Sequence, residues 1–121
     1  MDDRRKEMRR KLMAFTPVRD SDRDILLGYL GDLTLQGAMV VGEKPLEIHS
    51  QVTLILDLPG DLPGISTRRM SIPARVARCV QDEEGSREFD LGFEFTGINP
   101  EQTKIIQALL ERYHFSYESY H

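Results

Sequence analysis

One cysteine, three histidines and no long apolar run limit what this 121-residue chain can be. With Cys79 alone, an internal disulfide is excluded and a reducing compartment is expected. His49, His114 and His121 are scattered, and no HExxH, CxxC or carboxylate cluster has metal-ligand spacing. No stretch approaches the roughly 18 apolar residues that span a bilayer. The first residues are charged with no apolar segment behind them, so no secretory signal is expected and the predicted location is cytoplasmic. GxSxG, Walker and GxGxxG patterns are missing, and Cys79 sits in an apolar strand pattern as a packed thiol. Nothing supports an enzyme. Internal repeats and low-complexity segments are also lacking.

What is present is the balance of a soluble globular domain, 40% apolar and 30% charged, in one unit large enough to bury a core. The net charge of -4 conceals an asymmetry. Residues 1–12 carry six basic and three acidic side chains, and the remainder carries ten basic and seventeen acidic. A cationic arm therefore precedes an acidic body. That body argues against DNA or RNA as a partner, since nucleic-acid-binding faces are usually basic, and no exposed aromatic platform shows in the strand pattern.

Residues 1–11 have little apolar periodicity and are expected to be mobile without a ligand. Leu12 to Val18 reads as a first strand, with Pro17 near an edge or bulge. Strands follow at about Ile25–Leu33 and Leu35–Gly42. Val52, Leu54, Leu56 and Leu58 alternate with polar neighbours, broken only by Ile55. Met70, Ile72, Ala74 and Val76 carry a strand to about Val80, and Phe89, Leu91, Phe93 and Phe95 a last one. This spacing predicts an all-β fold, a six-stranded antiparallel barrel, closed or split. A helix over about 99–114 closes the chain. Asn99 is its N-cap, Pro100 its first residue, Gln102 the return of a capping box, and Ile105, Ile106, Leu109, Leu110 and Tyr113 its apolar stripe. His114 is expected to interact with the dipole at the helix end.

Two polar features remain. Arg5 and Arg9 form R-x-x-x-R, flanked by Arg4 and Arg10, and guanidinium forks match phosphate oxygens and stack on bases. Asp32-Leu33-Thr34-Leu35-Gln36-Gly37 is a polar turn between apolar runs, in which extended backbone puts Asp32 and Thr34 on one face. Gly37 is read as allowing positive φ or close approach of a ligand. A carboxylate there can accept from the N1–H and N2–H donors of guanine, a pair that adenine lacks. Either feature alone also fits a solvated tail or a structural turn.

Together they resemble the PilZ family of bacterial cyclic di-GMP receptors. Arg5-Lys6-Glu7-Met8-Arg9 matches the family's R-x-x-x-R, and Asp32 to Gly37 matches its (D/N)-x-S-x-x-G. Leu91-Gly92-Phe93-Glu94-Phe95, followed by Asn99-Pro100-Glu101-Gln102 and a helix, resembles the family's close. The likeness implies a non-enzymatic cyclic di-GMP receptor with no cofactor. It implies that Arg5 and Arg9 hold the phosphates and stack on guanine, with Arg4 and Arg10 assisting. Asp32 and Thr34 would hydrogen-bond the base or backbone, Gly37 would permit close approach, and Arg78 would stack where relatives often carry an aromatic. Thr34 departs from the family's serine by a methyl in a turn expected to be crowded. Some members bind no nucleotide and act as protein adaptors, but they typically lack the arginines. The resemblance further implies an unidentified effector protein as partner, no membrane insertion, a monomer or weak homodimer, and a role in motility, surface polysaccharide or biofilm control. The helix and the tail Phe115–Tyr120 are candidate partner surfaces.

Overall fold

A computed structural model describes residues 11–13, 16–81, 83 and 87–115, with the backbone alone at 11–13 and 115. The strands are β1 (Lys11–Met13), β2 (Pro17–Asp20), β3 (Ile25–Leu33), β4 (Gly37–Gly42), β5 (Gln51–Asp57), β6 (Arg69–Gln81) and β7 (Phe89–Phe95). The helix α1 (Pro100–Arg112) and a short strand β8 (Tyr113–Phe115) end the described chain. Six strands close into a barrel in the order β2-β3-β4-β7-β6-β5, every neighbour antiparallel. This is the expected six-stranded antiparallel barrel, and it is closed.

The period-two pattern does the sorting. Along β5, Val52, Leu54 and Leu56 point inward while Gln51, Thr53 and Ile55 point out. Along β6, Met70, Ile72, Ala74 and Val76 do the same until a register shift between Val76 and Arg78, after which Ala77 and Arg78 are both exposed. Cys79, just beyond, is half-buried against the core.

Helix α1 starts as its sequence dictates. Asn99 Oδ1 accepts from the Gln102 N–H at 2.8 Å, and Gln102 Oε1 accepts from the Asn99 N–H at 3.0 Å. The Gln102 amide nitrogen also donates to the Ser71 carbonyl at 2.6 Å, tying the helix start to β6. Ile105, Ile106 and Leu109 are buried in the core cluster, each contributing roughly 1.5–3 kcal/mol.

The chain ends depart from expectation. The segment Leu12–Val18 is two strands, because β1 pairs in parallel with β8 whereas β2 joins the barrel between β3 and β5. Pro17 heads β2, where its missing N–H costs no ladder bond, and a bulge follows between Val18 and Arg19. It lies near a bulge but at no edge. The helix stops at Arg112, not 114: Tyr113 is already extended, at φ -122° and ψ 151°. His114 therefore lies in β8 opposite Leu12 and not in the helix. The Tyr113 phenol donates to Asp61 Oδ1, and Arg112 Nε stands 3.4 Å from Asp61 Oδ2. Burial raises the pKa of that phenol above its usual 10, and the Asp61 carboxylate raises it further, so the anchor stays protonated at neutral pH.

Candidate functional site

The turn between β3 and β4 is wired by a hydroxyl. Thr34 Oγ1 accepts from the N–H groups of Gln36 and Gly37, both at 3.1 Å. The Thr34 N–H donates to the Gly37 carbonyl at 2.9 Å. Leu35 and Gln36 form the tip of the turn, the Gln36 carbonyl accepting from the Phe95 N–H of β7 at 2.8 Å, and β4 begins at Gly37 and not at Leu35. The Thr34 hydroxyl therefore holds the shape of the turn. Its side chain is exposed and not crowded.

Gly37 is needed for space. A Cβ there would lie 2.1 Å from the Phe93 carbonyl oxygen of β7. Its φ is not in the left-handed region, so the close approach is by the protein's own backbone. Asp32, at the end of β3, is half-buried, and its Oδ1 accepts from the Leu33 N–H at 2.8 Å. Its other oxygen makes no further bond among the described residues. The turn borders a cavity of about 310 Å³ lined by Asp32, Leu33, Thr34, Gln36, Gly37, Ala38, Met39, Phe93 and Glu94.

Register extends this surface across four strands. Asp32 pairs with Met39, Met39 with Gly92, and Gly92 with Arg78, placing all four on the outer face in one row. The next row, Leu33, Ala38, Phe93 and Val76, is buried core. A Cβ on Gly92 would come 3.1 Å from the Arg78 Cβ, so that strand is bare between Met39 and Arg78. Arg78 shares the row but does not line the cavity. In the flanking row Gly37 lies opposite Glu94 and Glu94 opposite Arg75, whose guanidinium pairs with the Glu94 carboxylate.

Asp32, Thr34 and Gly37 are thus together, with Arg78 three strands along. Arg4, Arg5, Arg9 and Arg10 lie outside the described residues, as does most of the tail beyond Phe115. Sequence reasoning missed Gln36, Met39, Glu94 and Arg75. Gln36 was visible inside the motif, whereas the others join the site only through strand register. Among the described residues no group of three or more His, Cys, Asp or Glu side chains is placed to hold a metal, and no helix is long and apolar enough to cross a membrane.

The fold and this surface define a small closed barrel with a helix on its core and a polar, glycine-bared turn outside. The model of the PilZ domain matches residues 3–112, and the chain belongs to that family. PilZ proteins are generally cyclic di-GMP receptors rather than enzymes. Among solved structures, the chain is similar to the Bacillus subtilis inhibitor of motility MotI, at 20% identity and a TM-score of 0.64. That likeness covers 82% of this chain but only 46% of the MotI chain. It is also similar to the PilZ domain of YcgR from Escherichia coli, solved with cyclic di-GMP, at 16% identity and a TM-score of 0.59 over 93% of both chains. At these identities the two structures establish the barrel fold. A comparison with curated proteins finds no match.

Proposed function

We propose that this protein is a cyclic di-GMP receptor whose ligand seats on the outer face beside the Asp32–Gly37 turn. The observation that carries the reading is the half-committed carboxylate of Asp32 at a cavity that Gly37 and the Thr34 turn hold open. Guanine offers two adjacent donors to such an acceptor. Arg5 and Arg9 supply the phosphate contacts, assisted by Arg4 and Arg10, and Arg78 stacks on a base from the far end of the row. The arm closes over the dinucleotide, and the signal passes to a separate effector protein in the cytoplasm. Each charge-assisted hydrogen bond contributes roughly 1.5–3 kcal/mol, offset by the entropy of ordering the arm. Titration calorimetry with cyclic di-GMP tests this. The expected result is saturable binding by the native protein, weakened at least tenfold by Arg5→Ala or Arg9→Ala. No heat with the native protein would overturn the receptor reading. Binding unchanged by Arg9→Ala would overturn the residue assignment alone.

One observation favours a second reading, an adaptor that binds protein and no nucleotide. A larger hollow, about 880 Å³, runs along the other half of β3, with Ile25, Leu26 and Tyr29 each more than 40% exposed on its walls. Silent calorimetry would promote this reading.

A further inference from the structure

Among the described residues, six strands have two partners each, and the other two pair only with each other. Strand β1 pairs with β8 alone, in a parallel two-stranded sheet outside the barrel, with Lys11 opposite Tyr113, Leu12 opposite His114 and Met13 opposite Phe115. Three residue pairs on two strands are marginal without support, since isolated pairs of strands barely hold in water. A contact of this size responds to small energies.

Its position in the chain gives that sensitivity a use. Arg9 and Arg10 directly precede β1, so the segment proposed to grip phosphate runs without a linker into the clasp. On the other side, β8 follows α1 directly and is pinned at its first residue: the buried Tyr113 donates to Asp61, with Arg112 on the same carboxylate. The Tyr113 N–H still bonds the Leu109 carbonyl, so β8 starts from the last turn of the helix. One strand of the clasp is thus tied to the ligand arm and the other to the helix end.

We infer that the β1–β8 clasp is the output device of this receptor: ligand held by the arm stabilises β1 against β8 and reports its presence at the C-terminal end of α1. The inference rests on the cyclic di-GMP reading above. Coupling of this kind is reciprocal, so whatever the ligand does for the clasp, the clasp does for the ligand.

The variant His114→Pro tests it with the helix intact. Proline restricts the residue before it to extended backbone, which Tyr113 already has, and it touches neither the Tyr113–Leu109 bond nor the Asp61 anchor. Leu12→Pro attacks the other strand, so that whichever residue supplies the ladder donor, one of the two variants removes it. Thermal melting close to that of the native protein shows the barrel intact in each. With cyclic di-GMP as the probe, calorimetry is expected to show a loss of roughly fivefold or more in affinity for at least one variant. Hydrogen exchange on the native protein is expected to slow at the amides of Tyr113 to Phe115 when ligand is added. Native binding with unchanged exchange there, and unchanged affinity in both variants, overturns the clasp and leaves the receptor reading standing. Native protein that binds nothing overturns both.

Discussion

Strand β3 has an aspartate turn at each end, and the two are opposite in kind. At its start, Asp20 is fully buried, with Oδ1 accepting from the Asp22 N–H at 2.9 Å and Oδ2 from Arg23 at 2.7 Å. Asp24 completes that turn in the left-handed region, at φ 53°. At the other end, Asp32 is half-buried, spends one oxygen on Leu33, and faces a turn held by a hydroxyl and bounded by a cavity. One carboxylate is consumed by the fold, and the other is presented by it. In a one-dimensional reading both are polar loops between apolar runs. Burial and the count of committed oxygens separate them, and those are consequences of tertiary structure.

The comparison is broken most forcefully by Gly37→Ala. With its Cβ 2.1 Å from a backbone oxygen, β4 and β7 must part or slip, and flexible side chains cannot absorb the clash. A loss of about 3 kcal/mol or more in a denaturant melt is expected, at the severe end for a single substitution. Asp20→Ala comes next. It removes two bonds to a buried carboxylate, one of them charge-assisted, for a loss of about 2–3 kcal/mol. Its affinity for cyclic di-GMP should match that of the native protein, because Asp20 lies at the far end of β3. A parallel fall in affinity would show that the two turns are not independent.

Much of this was legible in the sequence, and the failures have physical causes. Alternation of apolar residues located the barrel strands because each has one face on the core. Asn99 and Gln102 announced the helix start because a capping box is a local device. The ends failed because their pairing is remote. Nothing near Leu12 says that it will meet His114, about a hundred residues away, and nothing near Leu110 says that the helix yields to a strand at Tyr113. The site divides in the same way. Asp32, Thr34 and Gly37 are one local motif, while Glu94 and Arg75 join it through barrel closure.

A milder change sharpens the contrast at Asp32. Asn in its place keeps an acceptor for the Leu33 N–H and nearly the same shape, so stability should change by less than about 1 kcal/mol. The charge is lost, and the amide brings donors to where guanine donors are proposed to arrive. Calorimetry should register at least a tenfold drop in affinity for cyclic di-GMP, a cost of about 1.4 kcal/mol. Stability lost with affinity kept would assign Asp32 to the same class as Asp20.

The smallest effect is expected from Thr34→Ser, and it is the most discriminating. The Thr34 side chain bonds through its hydroxyl, which accepts from two backbone N–H groups at 3.1 Å and donates to the Gly37 carbonyl at 3.4 Å, and its own N–H bonds Gly37 as any residue's can. Serine keeps that oxygen on the same carbon, and the methyl it removes comes from an exposed side chain. Stability should therefore stay within about 0.5 kcal/mol, whereas Thr34→Ala should lose about 1 kcal/mol by leaving the turn unwired. Affinity for cyclic di-GMP should likewise stay within about threefold for serine, a shift of under 1 kcal/mol. A gain of tenfold or more would place the ligand where the methyl now stands, making residue 34 a contact and not only the support of Asp32. Unchanged affinity in the alanine variant would separate the turn from the site altogether.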